Sequence, residues 1–268
     1  MSYPILEFDA SDTTALIEPG HILPRQIDMP EACVMCFFQD VIGRICGNGQ
    51  SEAYWKLGSE IGVNDVFIFT VPDHRGVERR LAVVHPGVGA PLAGAFLEEV
   101  IALGAKYIIA CGGCGVLNPE LALGHLILPD AAIRDEGTSY HYLPPSREVE
   151  ADAAAFDALM ATLEAHDLPY VMGKTWTTDA IYRETPARIA RRKAEGCISV
   201  EMEAAAFFAI ARFRGVQFAQ LLYAGDDLSG EVWDHRSWHR DESTRERVFW
   251  LAAEAALRLS NEAGDSHE

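Results

Sequence analysis

Residues 199–211 have the sequence SVEMEAAAFFAIA, in which an apolar strand turns into an alanine-rich helix. Glu201 and Glu203 flank Met202 at this junction. Carboxylates in the first turn of a helix interact favourably with the helix dipole, but the dipole does not require a methionine between them. The segment therefore predicts a strand-to-helix junction with a role beyond the start of a helix.

Strands and helices alternate along the rest of the chain. Buried strands are predicted in ACVMCFF (32–38), AKYIIACGG and VQFAQLLYAGDD, and a hairpin in DVFIFTVPDHRGVERRLAVVHPGVG. Helices are predicted in APLAGAFLEEVIALG, DAAAFDALMATLEAHD and the C-terminal STRERVFWLAAEAALRLSNEAG, and a short helix in QDVIGRIC ends at the glycines of 47–49. This order predicts a single α/β domain over residues 32–268, preceded by a proline-rich arm over residues 1–31.

Composition narrows the class of protein. The chain has 268 residues, of which 49% are hydrophobic, so it can build a large core. Its formal net charge of −18 repels nucleic acid and anionic membranes, so neither is expected as a partner. Because the sequence lacks a signal-peptide pattern and any run of about 20 apolar residues, we expect a cytoplasmic protein.

The cysteines form two CxxC pairs, Cys33 with Cys36 and Cys111 with Cys114. Four such cysteines are a known zinc-ligand pattern, so a zinc-stabilised protein is one interpretation. However, ACVMCFF is a continuous apolar run, and residues three apart in a strand point to opposite faces. Small buried hydrophobic residues are the favoured interpretation, and neither a metal ion nor a cofactor is expected.

Residues 108–117, IIACGGCGVL, predict the end of a buried strand followed by a tight glycine loop. Loops of this kind often hold phosphate or sugar. Here Gly112, Gly113 and Gly115 are accompanied by two cysteines and by no serine, threonine, lysine or arginine. The predicted loop therefore lacks the side chains that usually bind phosphate.

The V-E-M-E-A sequence at 200–204 resembles a motif of the nucleoside phosphorylase superfamily, which includes purine nucleoside phosphorylases, uridine phosphorylases and methylthioadenosine nucleosidases. Further segments from about residue 32 to 259 resemble the family in its order: VVHPGVGAP, IIACGGCGVLNPELALGHLILPD, TTDAIY and YAGDD. The resemblance implies a three-layer α/β/α sandwich with a central mixed sheet. It also implies a homodimer or hexamer that cleaves the N-glycosidic bond of a nucleoside.

The resemblance assigns roles to individual residues. Glu203 binds the ribose 2′- and 3′-hydroxyls, Met202 packs on the sugar and Val88 contacts it. Asp226 is the catalytic acid that protonates a purine at N7. The remaining substrate-binding residues that the resemblance implies are Glu201, Gly113, Cys114, Gly115, Asp179, Ile181, Tyr182 and Arg245.

Some of these assignments leave alternatives open. Ile181 stands where the family has a phenylalanine that stacks on the base, so the stack is weakened or passes to Tyr182. Arg245 has the offset of the arginine that partners the catalytic aspartate, although a surface position on the C-terminal helix is slightly favoured. Residues 231–242, EVWDHRSWHRDE, have no family counterpart and are either a lid over the base or a surface loop.

The sequence departs from the family at the phosphate site. Asp40 falls where an arginine of the phosphate loop is expected, Ala110 replaces a second arginine, and Gly113 replaces a serine or threonine. Two like charges about 4 Å apart repel by about 4 kcal/mol at an effective dielectric near 20. Asp40 therefore disfavours phosphate unless another arginine, such as Arg44 or one from a partner subunit, compensates for its charge. Water is the favoured acceptor, with Gln39 and Asp40 positioning it and Asp40 as candidate general base. The alternative for Asp40 is an ordinary carboxylate at a helix start.

Two other functions stay open. The first is a phosphate-dependent purine or uridine phosphorylase with an atypical phosphate site. The second is a non-catalytic nucleoside-binding protein, which has little need for an acid at Asp226. Because YRETPARIA contains no clear Gln-x-Arg for uracil, a purine or purine-like base is favoured.

Overall fold

The computed structural model describes residues 3–8, 10–11, 14–47 and 51–265. Within these ranges the chain forms ten strands in one mixed sheet and seven α-helices. The strands are β1 (Ala32–Cys36), β2 (Glu52–Ser59), β3 (Gly62–Pro72), β4 (Glu78–Val84), β5 (Tyr107–Val116), β6 (Leu126–Asp135), β7 (Glu148–Glu150), β8 (Tyr170–Thr178), β9 (Cys197–Glu201) and β10 (Gln217–Asp227). The helices are α1 (Pro19–Ile22), α2 (Gln39–Cys46), α3 (Ala90–Leu103), α4 (Ala153–Ala165), α5 (Pro186–Ala194), α6 (Ala204–Arg214) and α7 (Glu242–Asp265).

Strand β5 lies at the centre of the sheet. It pairs in parallel with β1 and β10 and antiparallel with β9. The path β10-β6-β8-β9-β5 returns to β10, so these five strands close a ring, and β1, β4, β3 and β2 extend from it. Because β1, β5 and β10 are parallel, their carboxyl ends meet at the same edge of the sheet.

Helices cover both faces of the sheet, which confirms the predicted three-layer α/β/α sandwich. Helices α2, α4 and α7 pack on one hydrophobic cluster, and α3 and α6 pack on the other. Residues 204–211 of α6 are all buried, as expected of a helix that is apolar on every side. Their alanines let this helix approach the strands closely.

The glycine segment differs from the prediction. Residues 112–115 continue strand β5 instead of forming a tight loop, and none of their glycines has a positive φ angle. Neighbouring side chains explain these glycines: a Cβ on Gly112 would lie 3.1 Å from the Phe37 ring, and one on Gly115 would lie 2.5 Å from Leu228. The glycines therefore make room for packed side chains, a requirement that the sequence alone does not distinguish from a turn.

Two strands, β2 and β7, were not predicted from the sequence. Strand β2 is mixed in polarity and half exposed, and β7 has three residues, so neither gives a clear periodic signal. The predicted end of α2 at residues 47–49 lies in part outside the described residues. Where it is described, α2 ends at Cys46 and is capped by the N–H of Gly47.

The two CxxC pairs do not bring four cysteines together. Cys36 and Cys111 are register partners on one face of the sheet, and Cys33 lies in the hydrophobic cluster on the other face. Cys114 belongs to a third cluster. In the described part of the chain, no three His, Cys, Asp or Glu side chains are grouped so that they could hold a metal ion.

The described part of the N-terminal arm lies against the domain. Helix α1 contacts α3, and the N–H of Gln26 donates to the carbonyl of Leu103. Arg214 on α6 forms ion pairs with Glu18 in the arm, at 3.0 Å, and with Glu98 on α3, at 2.6 Å. Across the residues described, no helix combines the length and the apolar character needed to cross a bilayer.

Two glycines in open surroundings test the backbone requirements of the helices. Gly215 ends α6 at φ +68°, and nothing lies within 4 Å of a Cβ placed there. Gly215→Ala should lower the free energy of unfolding by about 1–2 kcal/mol through left-handed strain alone. Gly43→Ala, at an equally open position inside α2, should raise it by about 0.5–1 kcal/mol. Urea unfolding of both variants measures these changes. Equal changes in the free energy of unfolding would contradict the assignment of a left-handed backbone to Gly215.

Candidate active site

A cavity of about 310 Å³ lies where the carboxyl ends of β1, β5, β9 and β10 meet. A pocket of this size at this edge of an α/β sheet suits a small ligand. It is lined by Phe37, Phe38, Val88, Gly112, Gly113, Cys114, Gly115, Ile181, Glu184, Val200, Glu201, Met202, Glu203, Gln220, Asp226, Leu228, Trp238 and Arg245. Most of the residues singled out from the sequence are therefore brought together around one cavity.

Glu201 is the buried anchor of the strand-to-helix junction. Its Oε1 accepts from the Thr177 hydroxyl at 2.6 Å, and its Oε2 accepts from the N–H groups of Glu203 and Ala204 at 2.7 and 2.6 Å. Burial raises the pKa of this carboxyl, and these hydrogen bonds oppose the rise. Because both oxygens are engaged by the protein, Glu201 holds the site in place, which differs from the substrate-binding role predicted for it.

Glu203 carries the carboxylate that the junction presents to the cavity. It is 5% exposed, and its Oε1 accepts from the N–H of Gly89 at 2.5 Å. Burial raises its pKa, and the neighbouring charge of Glu201 raises it further. Gly89 has φ +86°, so its freedom from a side chain permits the turn that aims this N–H.

Met202 and Val88 line the cavity together with Glu203. Val88 stands between Gly87 and Gly89, both at positive φ, and is 62% exposed. Both residues therefore offer apolar surface to the same cavity as the Glu203 carboxyl.

Asp226 lines another part of the cavity. Its Oδ2 accepts from the indole N–H of Trp233 at 2.6 Å. Ile181 and Glu184 also line the cavity, and burial together with the charge of Asp226 raises the pKa of Glu184 to about 7. The cavity wall therefore combines these two carboxyl groups with an apolar side chain.

The adjacent Asp227 points elsewhere. Strand β10 has one additional residue relative to β5 between Ala224 and Asp227, which is a β-bulge. Asp227 forms an ion pair with Arg236 and accepts from the N–H of Ser229. Burial opposes its ionisation, but these hydrogen bonds and the Arg236 charge outweigh burial and lower its pKa.

Aromatic side chains close the third part of the cavity, which we call the acceptor end. It comprises Phe37, Phe38, Gly113, Trp238 and Arg245. A Cβ on Gly113 would lie 3.1 Å from the Trp238 ring and 3.2 Å from the Tyr223 ring. The indole therefore fills the space beside the position where the family carries a hydroxyl.

The segment 231–242 therefore lies beside the cavity, which one of its tryptophans lines. Trp233 holds Asp226, and Trp238 lines the acceptor end, where the Tyr223 hydroxyl donates to its carbonyl at 3.2 Å. The interpretation as a lid agrees with this placement better than a surface loop does. The side chain of His239 lies outside the described residues.

Arg245 lines the cavity but pairs differently from the prediction. Its Nη2 lies 2.7 Å from Asp40 Oδ1, so the expected pairing with Asp226 is replaced by one with α2. Its guanidinium also lies 4.9 Å from the centre of the Phe38 ring. The slight preference for a surface position was wrong, because helix α7 turns this side chain inward.

Asp40 lies behind Arg245 and is not part of the cavity wall. It also pairs with Arg44 at 3.4 Å, and Arg44 lies 3.2 Å from Glu242. Arg44 is therefore engaged by acidic groups of α2 and α7 and does not supply the missing phosphate ligand. The prediction that Asp40 positions water directly is not supported by this geometry.

Asp179 and Tyr182 also lie outside the cavity wall. Asp179 accepts from the N–H of Gly137 at 2.8 Å and joins two loops. Tyr182 is 94% exposed, so it does not take over the base stack from Ile181. The short helical turn at 181–183 decides which of these neighbours faces inward, and such a turn gives no periodic signal.

Sequence reasoning missed Glu184 and Gln220, and it included Trp238 only within the candidate lid 231–242. Glu184 follows the TTDAIY segment by two residues, and Trp238 lies in a segment without a family counterpart. Gln220 gives a usable signal, because it is the polar residue within the apolar run FAQLLYA. A polar side chain at such a position deserves a search for its partner.

A family model described as the phosphorylase superfamily matches residues 31–261. The chain belongs to this superfamily, which confirms the resemblance drawn from the V-E-M-E-A motif. A guanosine phosphorylase from Halorubrum lacusprofundi is 29% identical over 137 residues, which cover 51% of this chain and 57% of that protein. The chain thus spans little more than half the length of this curated relative.

Solved structures share the fold. An AMP nucleosidase from Bacteroides thetaiotaomicron VPI-5482 matches with a TM-score of 0.69 and 20% identity, covering 89% of this chain and 92% of that one. A uridine phosphorylase from Vibrio fischeri ES114 matches with a TM-score of 0.71 and 24% identity, covering 89% and 97%. The fold is therefore common to proteins named for hydrolysis and for phosphorolysis.

The buried glutamates predict a pH-dependent stability. A raised pKa means that the folded protein holds protons that the unfolded chain releases above the ordinary glutamate value of 4.5, so stability falls as pH rises through the raised pKa. Glu203→Gln keeps an oxygen for the Gly89 N–H and removes the titration. We expect its free energy of unfolding to fall less than that of wild type between about pH 5.5 and pH 8, by at least about 1 kcal/mol.

Urea unfolding at the two pH values measures this difference. Glu52→Gln, an exposed substitution on β2, is the control and should follow the wild type. Identical pH dependence in wild type and Glu203→Gln would contradict the electrostatic account of the junction.

Proposed function

We propose that this protein cleaves the N-glycosidic bond of a purine nucleoside, with water as the acceptor. The observation that carries the proposal is the set of groups that line one cavity. Its described wall combines a buried glutamate suited to ribose, carboxyl groups suited to a base, and aromatic rings beside a single guanidinium that is already paired. The superfamily supports the class of reaction, and the charge of the cavity wall supports water as the acceptor.

Glu203 binds the sugar in this proposal. A carboxyl group can accept hydrogen bonds from two vicinal hydroxyls at once, and Glu203 is fixed by the Gly89 N–H. Met202 and Val88 cover the apolar faces of the ring. Binding the ribose this way holds its anomeric carbon toward the acceptor end.

Asp226 activates the base. As the C1′–N bond breaks, the leaving base takes a proton, and an acid at N7 of a purine can supply it. The attacking water forms the O–C1′ bond and releases one proton, so the two transfers balance and the products are ribose and the free base. Trp233 keeps the Asp226 carboxyl oriented through its indole N–H.

Charge supports water over phosphate. Glu184, Glu201, Glu203 and Asp226 line the described cavity together with a single guanidinium, and Asp40 already pairs with that guanidinium. A phosphate dianion would lose its hydration in this site and would find there, among the described residues, no guanidinium without an acidic partner. A neutral water molecule does not need a positive partner.

Phosphorolysis is the second candidate, and Arg245 is the observation that favours it. Its guanidinium lines the acceptor end and could bind an anion if the ion pair with Asp40 opened. The cost of that opening is the pairing energy of a largely buried charge. For this reason we place phosphorolysis behind hydrolysis.

We also propose that the protein is a cytoplasmic homodimer or hexamer. Its six cysteines are free thiols, as in proteins of reducing compartments. The arm exposes large apolar side chains, among them Leu16, Ile17, Ile22 and Ile27, which suits a contact between subunits.

A nucleoside panel tests the reaction. Purified protein incubated with purine and pyrimidine nucleosides should release free base from purine nucleosides at the same rate with and without inorganic phosphate, because water is the acceptor. Liquid chromatography of base and sugar products measures the outcome. Strict phosphate dependence with ribose 1-phosphate formed would establish phosphorolysis, and binding without release would establish the non-catalytic protein.

Asp226→Asn tests the acid. The amide still offers an oxygen to Trp233 but cannot deliver the proton, so kcat should fall by about 10²–10⁴-fold. Asp157→Asn makes the same change on the exposed face of α4 and should leave kcat unaltered. Full activity of Asp226→Asn on a purine nucleoside would defeat the assigned role.

A further inference from the structure

Gln220 is a buried polar residue in the middle of an apolar strand. It is 1% exposed, and its neighbours Ala219 and Leu221 are completely buried. Its Oε1 is buried and has no hydrogen-bond partner in the described part of the chain, although the residue lines the cavity. An unpaired buried polar atom costs about 1–3 kcal/mol, which points to a partner that arrives with the ligand.

The register of the sheet places Gln220 beside Ala110. It is the register partner of Ala110 on β5, and Leu222, two residues on, is the partner of Gly112. Register partners on parallel strands direct their side chains to the same face. The small Ala110 therefore leaves room beside Gln220 at the position where the family resemblance places an arginine.

We propose that Gln220 binds the acceptor water and directs it at the anomeric carbon. This inference rests on the proposed hydrolysis and names the group that receives the nucleophile. The amide oxygen accepts hydrogen bonds, so it suits an O–H donor such as water. A neutral amide also lacks the positive charge that a guanidinium would offer to a phosphate dianion.

Gln220 takes no proton in this step. The water oxygen bonds to C1′, the C1′–N bond breaks, one proton leaves the water and one reaches the base. The amide contributes by orientation, since a nucleophile displaced by about 1 Å can react about 10²-fold more slowly. The carboxyl groups of the cavity and the solvent remain the sites of proton exchange.

Gln220→Leu tests this assignment, with Thr175→Val as a matched control. Thr175 also has a buried side-chain oxygen without a described partner, but it lies on β8 outside the cavity wall. Both changes remove an unpaired polar atom, so both variants should unfold at or above the wild-type midpoint. Gln220→Leu should lower kcat by about 10- to 100-fold with KM within about threefold, and Thr175→Val should change neither.

A competing acceptor gives a product ratio that a purely structural role of Gln220 would not change. In water containing methanol, wild type should partition toward ribose, because Gln220 holds water in preference to the alcohol. Gln220→Leu should shift products toward the methyl riboside. If this variant does not fold, Gln220→Met keeps the chain length without the amide and takes its place.

The outcomes separate the two proposals. If wild type hydrolyses a nucleoside and Gln220→Leu keeps kcat within twofold, only the role of Gln220 is overturned. A lower kcat of Gln220→Leu with an unchanged ratio of ribose to methyl riboside overturns that role as well. Wild type that requires phosphate, or that releases no base, overturns the proposed function and the acceptor assignment together. A loss of kcat with altered partition, against a normal Thr175→Val, supports the assignment.

Discussion

The buried carboxylate of Glu201 fixes the junction on which the cavity depends. It joins Thr177 on β8 to the first N–H groups of α6, and the Thr177 hydroxyl in turn accepts from the N–H of Ala205. These groups are enclosed by the core, so each donor needs a partner within the protein. These hydrogen bonds fix the direction in which the chain leaves β9, and Met202 and Glu203 line the cavity as a result. The carboxyl group of Glu201 is taken up by the protein, whereas that of Glu203, two residues later, lies in the cavity wall.

The cavity concentrates acidic groups in a confined space. Burial and mutual repulsion raise the pKa values of Glu184, Glu201 and Glu203, so protons are retained there that exposed glutamates would lose. A protonated carboxyl both donates and accepts hydrogen bonds, so such a wall can bind neutral hydroxyl groups. These carboxyl groups offer a phosphate ion no positive charge in return for its lost hydration. The strongly acidic net charge of the whole chain acts in the same sense.

The features predictable from the sequence were those set by contiguous residues. Hydrophobic periodicity predicted the order of most strands and helices, and the V-E-M-E-A motif pointed to Glu203, which lines the cavity. What failed depends on contacts between distant segments. The partner of Arg245 is decided by how α7 lies against α2, and the exposure of Tyr182 by a three-residue turn. The glycines of β5 were mistaken for a loop because the side chains that exclude a Cβ come from elsewhere in the chain, Trp238 among them.

The β-bulge in β10 separates two adjacent carboxylates that a regular strand would have to share. One additional residue leaves Asp226 at the cavity and Asp227 bound to Arg236 within the protein. The bulge therefore decides which of the two side chains reaches the cavity. Loss of that residue would turn the ion-paired aspartate toward the cavity and would remove its link to Arg236 in the segment 231–242. Which carboxyl group faces the cavity thus depends on backbone length as much as on the choice of side chain.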